Sequence, residues 1–208
     1  MVWFDRLIAK LRVDFGEPLD KSLQRRLRAA APSTLSELRE GAHCRVSGTV
    51  SAIDNATFEA PMSGRTCVAY ALDVLEVTVS HTRSFLVIDR RGAPFVIADG
   101  DYRAVIDPAH AMLLTEPAYE RRASSFKLRD AERALLARHV PDHDLHSAIS
   151  IRIRERVIGV GDHITVAGTG TREADPQAIA ERGYRDGTQG RLRFVGAPDL
   201  PLLIGRIG

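Results

Sequence analysis

The spacing of apolar positions changes several times along the chain. In Val2–Val13, Trp3, Phe4, Leu7, Ile8 and Leu11 recur at helical spacing, with Asp5, Arg6, Lys10 and Arg12 among them. This predicts a short amphipathic helix with a basic polar side. Gly16 and Pro18 break it. Asp20–Ala31 predicts a second helix, capped near Asp20, with Leu23 and Leu27 one turn apart. Residues 1–32 therefore read as an N-terminal helical arm and 33–208 as the domain that follows. Ser33 or Thr34 with Glu37 has capping-box spacing and predicts one helical turn before the first strand.

From His43 the period becomes two. Cys44, Val46, Gly48 and Val50 share one face of a strand running to Ile53, and Gly48 marks a bulge or bend. Pro61, Ser63 and Gly64 break the next stretch into a loop. Cys67–Val79 predicts a long strand, with Val68, Tyr70, Leu72 and Val74 on one face and Cys67, Ala69 and Ala71 on the other. Ser80–Ala93 reads as a charged spacer with a turn at Arg91-Gly92. Phe95–Ala98 and Tyr102–Ile106 around Asp99-Gly100 predict a hairpin. Ala109–Ser125 shows little pattern. Lys127–His139 predicts a helix with Leu128, Ala131, Ala134 and Leu135 inward. Ile149–Ile158 predicts a strand with Ile149, Ile151, Ile153 and Val157 inward and Arg152, Arg154 and Arg156 outward. His163–Gly168 and Arg191–Val195 add two more strands, separated by a polar loop over 171–189, and Pro201–Ile207 closes the chain.

Strand, strand, hairpin, helix, strand, strand is the order of a small Greek-key barrel of the OB type, whose helix falls between its third and fourth strands. The expected fold is mainly β: an OB-like barrel of five or slightly more strands, one inserted helix, and the helical arm. Leu135 is expected to pack against one end of the barrel.

Composition narrows the function classes. At 208 residues the chain suits one generous domain, and 44% hydrophobic with 6% aromatic content predicts an aliphatic core. A net charge of +2, from 29 basic and 27 acidic residues, argues against a dedicated polyanion binder. Two cysteines, Cys44 and Cys67, cannot build a zinc ribbon or RING. They read as reduced thiols, with one Cys44–Cys67 bridge as the alternative. No run approaches the roughly 18 apolar residues of a membrane span. Asp5, Arg6 and Lys10 interrupt any signal-peptide core. A soluble, cytoplasmic chain is expected.

Candidate chemistry is sparse. His139, His143 and His146 lie near Asp142 and Asp144 at spacings of four and three, which could suit a metal on a helix. Pro141 breaks that helix, so a solvated loop is expected, with no metal and no cofactor. Arg152, Arg154 and Arg156 could meet phosphates or an acidic partner; the alternative is a strand face charged against aggregation. Ser47, Cys67, His81 and Asp107 stand alone, with no G-x-S-x-G around them and no P-loop or GxGxxG anywhere. Gly159-Val160-Gly161-Asp162 precedes a strand and reads as a turn. An enzyme is not expected.

Five ordered pieces carry a resemblance: Gly41 followed by Val46-x-Gly48-x-Val50, Pro61-Met-Ser63-Gly64-Arg-Thr-Cys67-Val68-Ala-Tyr70, Pro94-Phe95-Val-Ile-Ala-Asp99, Ala104-Val-Ile-Asp107-Pro108, and Glu155 followed by Gly161-Asp162-His-Ile-Thr-Val-Ala-Gly168. The series resembles the GIDE (beside-a-membrane) domain of mitochondrial-membrane E3 ubiquitin ligases and of many bacterial proteins, and covers roughly residues 35 to 205. Those ligases add transmembrane helices and a RING, and neither pattern occurs here, so ligase activity is not implied. The turn at Asp99-Gly100-Asp101 is also tighter than the family's. The resemblance implies a non-catalytic binding or adaptor module, in a bacterial multiprotein system or at a membrane surface, with a protein partner. The candidate contact residues are Trp3, Phe4, Leu7, Ile8 and Leu11 on the arm, with Arg152, Arg154 and Arg156. The arm is expected to dock on protein, with peripheral membrane contact through residues 1–13 as the other option. The alternative function is a nucleic-acid-binding OB fold, for which Tyr70, Phe95 and Tyr102 are the available stacking aromatics.

Overall fold

A computed structural model describes residues 20–80, 83–145, 148–174 and 190–207. In chain order, a helix over residues 20–29 (α1) leads to β1 (His43–Ala52), β2 (Phe58–Glu59), β3 (Thr66–Cys67), β4 (Ala69–Thr78), β5 (Arg83–Gly92), β6 (Phe95–Asp99) and β7 (Tyr102–Asp107). A 3-10 turn at Pro108–His110 precedes β8 (Ala111–Leu113) and β9 (Pro117–Ala123). Then come α2 (Asp130–His139), β10 (Ala148–Ile158), β11 (His163–Ala174), β12 (Gly190–Val195) and β13 (Leu202–Gly205).

Five strands close into a barrel, in the order β1-β6-β7-β12-β11 and back to β1. The β7–β12 pair is parallel and the other four are antiparallel. Counted along the chain these are strands one, two, three, five and four, an OB-type Greek-key order, and α2 falls between the third and fourth. The expected barrel is thus present. The side chains of β1 alternate in burial as the sequence predicted. β6 and β7 pair as a hairpin around Gly100, which has a φ of +59°. β13 and β8 extend the sheet beyond β11.

Two segments predicted to belong to the barrel do not. β4 and β10 pair with each other and form a separate four-stranded sheet, β5-β4-β10-β9. The charged spacer over Ser80–Ala93 is β5, an edge strand, where charge is tolerated. The unpatterned Ala109–Ser125 holds β8 and β9. One face of this second sheet packs under α2. Leu135 and Leu136 meet Tyr70, Leu72, Val74, Val87, Ile151 and Ile153 there, so Leu135 does not reach the barrel. The inward face of α2 is Glu132, Leu135 and Leu136; Ala131 and Ala134 are exposed.

Val68 corrects the face assignment of the long strand. It sits in neither β3 nor β4, and this single-residue break shifts the alternation. Cys67 joins Tyr70, Leu72 and Val74 in the second-sheet core, whereas Val68 joins Ala69 and Ala71 in the barrel core. A shift between Ala148 and Ser150 likewise turns Ile149 outward, to 47% exposure.

α1 packs Leu23 and Leu27 against Met112, Leu114, Ala167 and Leu203 on the outside of β8, β11 and β13. The chain then returns to β1, where the Arg45 backbone N–H donates to Ala31 O at 2.9 Å. Thr34 Oγ1 donates to Glu37 Oε2 at 2.9 Å in the expected turn. The arm residues Trp3, Phe4, Leu7, Ile8 and Leu11 lie outside the described residues. Among those described, no helix is long and apolar enough to cross a membrane.

Gly48 marks where β1 changes partner from β11 to β6. A Cβ there would lie 2.8 Å from Ala98 O. Backbone cannot retreat as a side-chain tip can, so Gly48→Ala should cost about 1–3 kcal/mol. Denaturant unfolding of the variant checks this; an unchanged midpoint would show that the strands can part freely.

Candidate functional site

The three arginines proposed for partner contact lie on one face of β10, and exposure falls along the row from half-buried Arg152 and Arg154 to buried Arg156. Arg156 is 5% exposed. Its Nη2 donates to Asp20 Oδ2 at 2.6 Å and its Nε to Thr115 O at 3.1 Å. Arg154 donates to the same Asp20 oxygen at 3.0 Å and to Glu120 Oε1 at 3.2 Å. Arg152 also bonds Glu120. Asp73 on β4 lies 3.7 Å from both Arg156 Nη1 and Arg90 Nη2. The row is thus the centre of an ion-pair network joining α1, β4, β5, β9 and β10. Burial would push the Glu120 carboxyl up, but the bonds from Arg152 and Arg154 outweigh it and hold the group below the usual range. Asp20, Asp73 and Glu120 were invisible as partners because each is distant from the row in sequence.

The other face of the second sheet carries a carboxylate that the sequence reading did not single out. Glu155, on the inward side of β10 with Ile151, Ile153 and Val157, is fully buried. It accepts three hydrogen bonds from one loop: Met62 N–H at 2.7 Å, Ser63 N–H at 3.0 Å and Ser63 Oγ at 2.5 Å. Ala60 N–H donates to Arg65 O at 2.9 Å and Gly64 N–H to Ala60 O at 3.0 Å, closing the loop on itself. Gly64, with φ +65°, makes the reversal. The result is a surface loop whose shape is set from below by a buried carboxylate. Pro61, Gly64 and Arg65 on its crest are exposed.

Beside the loop, the Phe58 ring stands edge-on to Tyr70 at 5.7 Å, and the Arg91 guanidinium lies 4.5 Å over its centroid. Tyr70 Oη donates to Asp89 Oδ2 at 2.8 Å, and burial with that contact raises its pKa. Cys67 lies beneath. Burial first, then the Glu155 charge, pushes its thiol up to about 11, so it is protonated near neutral pH and a poor nucleophile. Cys44 is free as well and sits in the other core, so the alternative Cys44–Cys67 bridge is not formed.

The remaining candidates are dispersed. His143 Nε2 lies 3.1 Å from buried Glu76 Oε2, and His139 is exposed. His81 and His146 lie outside the described residues. Among those described, no three His, Cys, Asp or Glu residues are grouped to hold a metal ion. Of the three aromatics considered for stacking, Phe95 is in the barrel core, Tyr70 is 8% exposed, and Tyr102 is 55% exposed at the hairpin tip. A cleft of about 380 Å³ on the outer barrel face is lined by Ser51, Ile53, Val96, Ala98, Arg103 and Arg191, with no aromatic among its lining residues.

The five stretches that carry the GIDE resemblance are neighbours in space. Glu155 holds Met62 and Ser63, Val50 N–H donates to Asp162 O at 2.9 Å, and Thr49 opposes Ala98. No protein-family model matches the chain, and no curated protein matches it either.

Glu155→Gln keeps the size but loses the charge that three donors share. It should cost about 1–3 kcal/mol. Amide exchange at Met62 and Ser63 should speed up more than in the barrel; equal protection in both proteins would mean the loop holds its own shape.

Glu132, fully buried at the start of α2, accepts from Tyr119 Oη at 2.6 Å, from the Arg129 N–H at 2.7 Å and from Arg121. Burial pushes its pKa up, but these bonds outweigh it and the net shift is downward. Its contribution is therefore present above the unfolded value of about 4.3 and is lost as pH falls through the lower folded value. Glu132→Gln should be less stable than the native protein at pH 7, and the gap should narrow below pH 4. A gap independent of pH would assign the effect to packing.

Proposed function

We propose that this chain is a non-catalytic, GIDE-type binding module that engages a protein partner through the clamped loop at Pro61–Arg65. One observation carries the reading: a fully buried carboxylate, Glu155, spends its hydrogen bonds on holding a surface loop. Burying a charge is costly unless every bond is made, and here the bonds go to the loop's own backbone and to Ser63. Such a loop loses little conformational entropy when a partner binds, which is what preorganisation supplies. Arg65 and Arg91 give the same surface two exposed guanidiniums, which suit an acidic partner.

A nucleic-acid-binding barrel would need stacking rings on the outer barrel face. Of the three aromatics considered for stacking, two are buried, which favours the protein partner.

The test is quantitative capture of cellular proteins by the native chain, Arg65→Glu and Glu155→Gln. The expected outcome is a defined set held by the native chain, lost on Arg65→Glu with the fold intact, and weakened by Glu155→Gln. Identical sets from native chain and Arg65→Glu would reject the loop. Single-strand oligonucleotide binding that survives moderate salt and disappears in Tyr102→Ala would replace the reading with the nucleic-acid one.

A further inference from the structure

The chain is nearly neutral, with a net charge of +2, but its charges are sorted by place. α1 shows this sorting. Leu23 and Leu27 face the barrel extension, and Asp20, at the start of the helix, turns to Arg154 and Arg156. Lys21, Arg25 and Arg28 lie on the opposite side, and all three are exposed. At spacings of four and three they fall within about 60° of one another on a helix of 3.6 residues per turn. They form one strip, about 10 Å long at 1.5 Å per residue.

Among the described residues, no acid pairs with Lys21, Arg25 or Arg28. Arg45 on β1 donates to Arg28 O at the last turn and sets a fourth guanidinium beside the strip. The strip holds no apolar anchor, since Ser22, Gln24 and Ala29 are its neighbours. Protein interfaces take their affinity from buried aromatic and aliphatic anchors, and helices lying in a bilayer surface need an apolar face. α1 has committed its leucines to the barrel extension instead. A ligand on this strip must therefore be recognised by negative charge repeated along a line. The backbone of a nucleic acid has that form. One strand of a duplex carries a phosphate per 3.4 Å of rise, so the strip spans about three. Ser22 and Gln24 add neutral groups of the kind that bond phosphate oxygens.

We propose that the outer face of α1 docks on the phosphate backbone of a nucleic acid without reading its sequence. Lys21, Arg25 and Arg28 each meet one phosphate. A contact of this size is weak and salt-sensitive, because each cation acts by displacing counterions. It uses neither the clamped loop nor a stacking ring, so it stands or falls separately from both readings above.

The test is fluorescence anisotropy of a labelled DNA duplex of random sequence, titrated with the full chain. Neutralising three phosphates gives a salt slope of about −2.7, so affinity should fall about fortyfold between about 50 and about 200 mM salt. Arg25→Gln should reduce that slope by about one. Lys21→Gln, Arg25→Gln and Arg28→Gln together should remove the binding, and these exposed side chains can change without disturbing the fold. Lys127→Gln, Arg133→Gln and Arg138→Gln take the same charge from the exposed side of α2 and the turn before it, and should leave affinity nearly unchanged. So should Arg65→Glu and Tyr102→Ala. Polyglutamate and phosphatidylserine vesicles, titrated alongside, should bind more weakly than the duplex. Equal or tighter binding of either would move the partner to an acidic protein or a membrane and overturn the proposal. No duplex binding at about 50 mM salt, or equal losses from the α1 and α2 variants, would overturn it too.

Discussion

Three stretches of backbone cross between the second sheet and the barrel at one point, and Val68 is the residue that holds them together. Its N–H donates to Ile158 O at 2.9 Å, and its carbonyl accepts from Ala93 N–H at 3.0 Å. Val68 is fully buried, so these groups have no access to water and must be paired within the protein. The consequence spreads in both directions. On the barrel side, Val68, Ala69, Ala71 and Ile158 become part of the barrel core. On the other side, the face shift delivers Cys67, Tyr70, Leu72 and Val74 to α2. Two cores that share a strand at a bonded junction cannot be formed independently.

Charge does work inside this protein that aliphatic packing cannot. Glu155, Glu132, Glu76, Asp73 and Arg156 are all buried, and each makes a bond or ion pair to a different segment of the chain. Breaking one member of such a set leaves its partner charged and buried, which costs far more than the pair contributes. The network therefore specifies which loop, helix and strand go where. Asp20 shows this most directly. It anchors the start of α1 to β10, while Leu23 and Leu27 commit the rest of the helix to the barrel extension.

The strictly alternating stretches were legible in the sequence. β1, the β6–β7 hairpin and β11 needed only a period of two and a Gly turn, and together they are enough to suggest a closed barrel. Membership of a second sheet was not legible, because β4 and β10 look like any other buried strand until their pairing is known. β5 and β9 were hidden by their arginines, which read as loop charge but are tolerated at sheet edges. The site was harder still. Glu155 stands between two arginines, and alternation puts it on the opposite face from them, as β10 does, but nothing local in the sequence says what an acid on that face would bind. Its signal in the sequence is an acid at an inward position of an otherwise apolar strand face. Ser63 and Met62, its partners, lie some 90 residues away.

The second sheet takes its strands from two places, β4 and β5 between the first and second barrel strands, β9 and β10 between the third and fourth. Each pair on its own would leave open the strand edge that pairs with the other. No cut along the chain can therefore separate the two layers, since either side of it would carry half a sheet and an incomplete barrel. The protein is two bodies in space and one in sequence. Subdividing it means replacing both excursions with short turns at once, joining Ala52 to Phe95 and Asp107 to His163, and giving up in the same step the loop and the arginine network that lie between them.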